Sequence, residues 1–162
     1  MSPTRPPLRM ERTFAAPAER VFDAWTSVDT LRRWWPAGPG WTTPLAEVDV
    51  RVGGALQLLM RDPDGGEFGG EGTYLVLDRP RRLAFSWQWD DPELGRDRQV
   101  VDVTFTDNGD GTTTAVLTNT GLSTAEAESH REGWELSFVN LDEVALTSAE
   151  TVTTSDSNTR PA

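Results

Sequence analysis

From Leu8 to Phe14, "LRMERTF", apolar and polar residues alternate, which predicts a strand. In "APAERVFDAWTS" the period lengthens: Val21, Phe22 and Trp25 make an apolar stripe, and Pro17 suits a first helical turn. "DTLRRWW" predicts a second short helix, with Asp29 as its cap and Pro36 as its end. After a Pro/Gly-rich loop that carries Trp41, the two-residue period returns. It runs through "LAEVDVRV", "ALQLLMR", "GTYLVLD", "RLAFSWQW", "QVVDVTFT" and "TTAVLTNT". Between these segments stand turn residues: Gly53-Gly54, "DPDGG", "RP", "DDPELGRD" and "DNGDGT". The helical period resumes at Thr124, whose hydroxyl can cap it, and lasts to about Leu146.

Consecutive strands joined by hairpins form an antiparallel sheet, and its apolar face needs cover. The long helix is the obvious cover, which gives an α+β layer architecture. Alternation assigns the inner face. Leu83, Phe85, Trp87 and Trp89 form one row, and Val101, Val103 and Phe105 a second. Leu56, Leu58 and Met60 form a third, Tyr74 and Val76 a fourth, Ala115, Leu117 and Asn119 a fifth. Glu47, Asp49 and Arg51 read as a solvated row, with Val48 and Val50 inward. The inner face is thus large and aromatic, with the amide of Asn119 at one end.

Composition narrows the chemistry. The length of 162 residues predicts one domain, residues 8–146, between a disordered N-terminus (1–7) and a disordered Ser/Thr-rich tail (147–162). There is no cysteine and only one histidine, so thiolate catalysis, cysteine-held zinc and a multi-histidine metal site are excluded. All 15 basic residues are arginine, which removes a Schiff-base lysine. The net charge of −11 argues against nucleic acid and anionic membranes as partners. No stretch has the length of a membrane span and the N-terminus has no signal-type apolar core, so a cytoplasmic location is expected. "DNGDGT" lacks the ligand spacing of a calcium loop and reads as a hairpin turn. No cofactor is implied.

On the long helix His130, Trp134, Phe138 and Leu141 share one face, continued by Ala145, and should meet the sheet. Gly133 beside them is expected to allow close backbone approach or to let Trp134 lean inward. His130 is either a general acid/base or an amphipathic wall residue satisfied by Asn119 or a carbonyl; no matched nucleophile accompanies it. Trp34, Trp35 and Trp41 flank the Pro/Gly-rich loop and either gate a cavity mouth or plug the end of the sheet.

Six segments in this order resemble one known group: "RTFAAPAERVFDAWT", "LRRWWPAGPGWTT", "EVDVRVGGALQLLMRDPDGGEF", "PRRLAFSW", "VTFTDNGDGTTTAVLTNTGL" and "HREGWELSFVNL". Over Met10 to Leu146 the chain resembles the START-like (SRPBCC) superfamily, and within it the family named after the activator of the large heat-shock ATPase chaperone. The resemblance implies a helix-grip fold: a curved seven-stranded antiparallel sheet around a long C-terminal helix, often with a cavity for an apolar small molecule. Two positions depart from the family pattern. Val52 stands where proline is usual before the Gly-Gly turn, and Asn119 where a histidine is common.

The expected activity is therefore the binding of a small apolar or aromatic ligand between sheet and helix. The expected wall is Trp34, Trp41, Leu58, Met60, Tyr74, Phe85, Trp87, Val103, Phe105, Asn119, His130, Trp134 and Phe138. A cyclase- or hydrolase-type enzyme using the same cavity is one alternative. A chaperone-regulating interaction protein is another, and homodimerisation is left open.

Overall fold

A computed structural model of the chain describes residues 7–35, 39–91 and 97–159, with the side chains of the last helix described as far as Val144. The expected disorder of residues 1–6 and the expected helix end at Pro36 lie outside the described residues. The elements are β1 (Leu8–Phe14), α1 (Ala18–Asp23), α2 (Val28–Trp34), β2 (Thr42–Val48), β3 (Ala55–Arg61), β4 (Glu67–Asp78), β5 (Arg82–Trp89), β6 (Gln99–Asp107), β7 (Thr113–Thr120) and α3 (Thr124–Thr159). The backbone of α3 continues past the end expected near Leu146.

The strands form one seven-stranded antiparallel sheet in the order β1-β7-β6-β5-β4-β3-β2. From β2 to β7 each strand pairs with the next in sequence, as hairpin connections dictate. β1 finds its ladder in β7, from Leu8 opposite Asn119 to Phe14 opposite Thr113. The two sheet edges are thus β1 and β2, and α1 and α2 carry the chain from one to the other. Asp23 at the end of α1 accepts two hydrogen bonds from Arg79, at 2.7 and 2.9 Å, which ties α1 to the β4–β5 turn.

The starts of α2 and α3 follow side-chain acceptors, and both differ from expectation. Ser27, not Asp29, caps α2 by accepting the Thr30 N–H at 3.4 Å; Asp29 lies inside the first turn, where its charge suits the helix dipole. Ser123, not Thr124, caps α3. Its hydroxyl accepts the Glu126 N–H at 3.1 Å, and the Glu126 carboxylate accepts the Ser123 N–H at 2.9 Å. This reciprocal pair satisfies two N–H groups that the helix cannot.

Two strands depart from simple alternation. β2 starts earlier than expected and ends at Val48, so Val50 and Val52 are not inward but 50% and 64% exposed. The chain there turns sharply: Gly54 N–H bonds to the Arg51 carbonyl at 2.8 Å, and a Cβ on Gly54 would stand 2.0 Å from the Asp49 carbonyl oxygen. Glu47, Asp49 and Arg51 are exposed, with Arg51 and Asp49 paired at 2.8 Å. On β4 the register slips between Tyr74, opposite Phe85, and Val76, opposite Ala84. A bulge at this point hands the inner place expected for Val76 to Leu77, which lies opposite Leu83 and packs on the core.

The remaining rows hold. Leu56, Leu58, Met60, Leu83, Phe85, Trp87, Val101, Val103, Phe105, Ala115, Leu117 and Asn119 are buried. The "DNGDGT" segment is a hairpin turn whose Asp107 and Asp110 carboxylates accept the N–H groups of Gly109 and Thr112.

Candidate functional site

α3 approaches α2, β1 and α1 most closely and stands off from the central strands. The space left between them is an open cavity of about 560 Å³. Trp35, Phe85, Trp87, Trp89 and Val101 supply sheet-side and floor walls, Trp134 and Gly133 the helix side, and Trp41, Met60 and Phe68 another flank. A glycine on β4 makes one wall possible. A Cβ on Gly70 would fall 2.5 Å from Trp87 Cζ2, so the indole can lie against bare backbone.

Of the wall expected from sequence, Trp41, Met60, Phe85, Trp87, Asn119, His130 and Trp134 line this cavity. The others lie in the packed core, away from it. Trp34 is fully buried against Trp25, ring centroids 4.6 Å apart, and its indole N–H donates to the Ala24 carbonyl at 2.8 Å. Tyr74 donates its hydroxyl to the Trp25 carbonyl at 3.2 Å, and burial pushes its pKa well above the usual tyrosine value. Phe105 packs edge-on to Phe22, and Phe138 packs between Phe14, Trp25 and Trp134. Leu58 and Val103 are sealed in the same core. The physical reason is that α1 and α2 fill one end of the inner face. Alternation shows which residues point inward, not which end of the sheet the short helices cover.

The three loop-flanking tryptophans divide between the expected roles. Trp34 is a plug. Trp35 is buried but faces the cavity, 5.4 Å from Trp87 and 5.6 Å from Trp134 between ring centroids. Trp41 is partly exposed and leans on Phe68 at 5.4 Å.

One end of the cavity is polar and continuous. Trp134 Nε1–H donates to Asn119 Oδ1 at 3.2 Å, and Asn119 Nδ2 donates to Gln99 Oε1 at 3.2 Å. Trp89 Nε1–H donates to His130 Nε2 at 3.0 Å, and Gln99 Nε2 lies 3.5 Å from the same nitrogen. On the far side of the ring, His130 Nδ1 lies 2.8 Å from the Glu126 carbonyl oxygen. An indole can only donate and a carbonyl can only accept. His130 therefore carries its proton on Nδ1 and presents a lone pair at Nε2. Burial holds its pKa below the usual histidine value, outweighing the opposing pull of Glu126. Of the two partners expected for His130, the carbonyl is present and Asn119 is not; Asn119 serves Trp134 and Gln99 instead. Gln99, which the sequence reading did not select, is the hub.

Of the two purposes expected of Gly133, the open space at its Cβ position speaks against one only, and Trp134 beside it does line the cavity. A Cβ there would meet nothing within 4 Å, so close backbone approach is not its purpose. It leaves the helix side of the cavity open. Among the described residues no three carboxylate or imidazole groups converge as a metal site would need, and no helix is long and apolar enough to cross a membrane.

A curved antiparallel sheet holding a long C-terminal helix, with a cavity between them, defines the helix-grip class of the START-like superfamily. The sequence profile of the family described as "Activator of Hsp90 ATPase homolog 1-like protein" matches residues 15–145, and the chain belongs to that family. No curated protein matches the chain. Among solved structures, protein CV1439 from Chromobacterium violaceum is 26% identical, with a TM-score of 0.78 over 86% of this chain and 96% of that one. The AHSA1 protein SPO3351 from Silicibacter pomeroyi is 26% identical, with a TM-score of 0.72 over 87% and 99%. The AHSA1-like protein from Aeromonas hydrophila is 26% identical, with a TM-score of 0.69 over 87% and 94%.

Proposed function

We propose that this chain is a binding module that holds a small, largely aromatic molecule between the sheet and α3. The observation that carries this reading is the cavity of about 560 Å³ walled by Trp35, Trp41, Phe85, Trp87, Trp89 and Trp134. Its size falls in the range of small-molecule sites, and its character, apolar walls with a few converging polar groups, is theirs as well. The state of His130 favours binding over catalysis. Its Nδ1 proton is held by a carbonyl, its Nε2 lone pair is already engaged, and among the described residues no carboxylate orients the ring as in a base-and-orienter pair.

Native mass spectrometry of the purified protein is the direct test, since a retained small molecule should appear as added mass. Gly133→Leu is the control. Leucine is a good helix former and its side chain projects into the open space. The variant should fold at least as stably as the wild type and lose the added mass. Retention of the molecule by Gly133→Leu would move the site elsewhere.

The family's name adds a second reading, regulation of a heat-shock ATPase. The exposed pair Leu136 (48%) and Val139 (46%), one turn apart on α3, is the surface it would use. Stimulation of ATPase turnover by the wild type, lost in Leu136→Ser/Val139→Ser, is its test.

A further inference from the structure

The polar end of the cavity has more donors than acceptors, and the imbalance can be located. Two directed chains of hydrogen bonds meet at His130 Nε2. One begins at the Trp134 indole and runs through Asn119 and Gln99; the other is the Trp89 indole alone. Because Trp134 Nε1–H must donate, Asn119 turns its oxygen to Trp134 and its NH₂ to Gln99. Gln99 then has to turn its oxygen to Asn119 and its NH₂ to the histidine. The orientation of both amides is thus fixed by the indole at one end and the Glu126 carbonyl at the other. Yet Nε2 of a neutral imidazole has a single in-plane lone pair. Trp89 uses it at 3.0 Å, whereas Gln99 reaches it only at 3.5 Å, the limit of a hydrogen bond. Gln99 is 1% exposed and lines the cavity, so a further acceptor can approach its NH₂ only from the cavity side.

Charge sets the second condition. The charged side chains among the described lining residues are Glu126 and Glu132, and no arginine is among them. Among the described residues an anion entering here would meet carboxylates and no countercharge.

We infer that Gln99 is the specificity-determining donor of the cavity, and that the ligand is an uncharged aromatic molecule carrying an acceptor oxygen, of the aryl ketone or ester kind, directed at the Gln99 NH₂. This rests on the binding reading above. The ligand's oxygen supplies the acceptor that His130 cannot, while its rings take up the aromatic walls. A hydrocarbon of the same shape leaves the Gln99 donor unsatisfied, and a carboxylate of the same shape is repelled.

Three probes of one skeleton test this on the full-length wild-type protein: 2-acetylnaphthalene, 2-ethylnaphthalene and 2-naphthoate. Titration followed by ¹⁵N-resolved NMR gives both affinity and the side-chain NH₂ signal of Gln99. 2-Acetylnaphthalene should bind about tenfold more tightly than 2-ethylnaphthalene, the value of one neutral hydrogen bond. 2-Naphthoate should bind most weakly. The Gln99 NH₂ protons should move downfield with the ketone and stay in place with the hydrocarbon. Gln99→Met should abolish the preference for the ketone over the hydrocarbon. Equal binding of ketone and hydrocarbon, or preferential binding of the carboxylate, overturns the inference and leaves the binding reading standing. Failure of all three probes to bind overturns both.

Discussion

The imidazole of His130 is neutral in the fold because burial opposes its charge, which has a direct thermodynamic consequence. In the unfolded chain its pKa returns to about 6.5. Between the lower folded value and 6.5 the unfolded state binds more protons, so stability rises with pH through that window. The contribution is complete above the unfolded pKa and is lost as pH falls. Urea denaturation of wild type and His130→Gln between about pH 5 and 7.5 should show a steeper rise in the wild type. Parallel curves would mean that the ring has the same pKa folded and unfolded, and a shallower rise in the wild type that the fold favours the protonated ring. Gly133 offers a second test. With open space around its Cβ position, Gly133→Ala should raise stability by about 1 kcal/mol through helix propensity alone. A loss of stability would restore the close-approach reading. At this scale the sequence showed Trp134, Asn119 and His130 because each interrupts or crowns an apolar stripe. Gln99 gave no such signal. It opens β6 after a polar turn, where a glutamine looks like loop, and only the convergence of β5, β6, β7 and α3 gives it partners.

Elements were legible where the period was clean. β1, β3, β5 and β7 begin and end where alternation begins and ends. β4 was not, because "EFGGEG" is poor in strand-forming residues and is held in the sheet by its neighbours β3 and β5. Nor does a bulge announce itself: Leu75, Val76 and Leu77 are equally apolar, and only pairing with β5 decides that Leu77 faces inward. The Ser123–Glu126 capping box is written in "STAE", where both Ser123 and Thr124 offer a hydroxyl and only Ser123 stands three residues before Glu126. The assigned rows carry a quantitative expectation. Phe105 is buried against Phe22 of α1, so Phe105→Ala should cost about 3–5 kcal/mol in chemical denaturation. A cost below about 1 kcal/mol would invert the facing of β6. Because Phe105 lies in the core and not in the cavity, the same change should leave ligand affinity nearly untouched.

For the molecule as a whole, the layer order and the strand count were readable, since hairpin turns leave little choice of neighbours. The position of the cavity was not. It depends on where α1 and α2 dock, and their few apolar residues fit either end of the inner face equally well by pattern. We propose that residues 147–162, Ser/Thr-rich and nearly free of large apolar side chains, contribute little to the fold although the α3 backbone extends through Thr159. Deleting them should leave the thermal midpoint within about 3 °C. A larger drop would show that the extension docks.

The ladder partner of β1 is β7, the last strand among the described residues. In kinetic terms, the five hairpins from β2 to β7 can zip locally, while β1 must wait for a loop spanning nearly the whole domain to close. β1 is therefore expected to dock after the rate-limiting step. Phe14, fully buried at its end against Phe138, reports on this. Phe14→Ala should accelerate unfolding and leave the refolding rate almost unchanged, a φ-value near zero in stopped-flow chevrons, whereas Phe105→Ala should slow refolding. On a ribosome the same order means that β1, made before the other six strands, is among the last to find its place, and its apolar side chains stay uncovered until β7 has emerged.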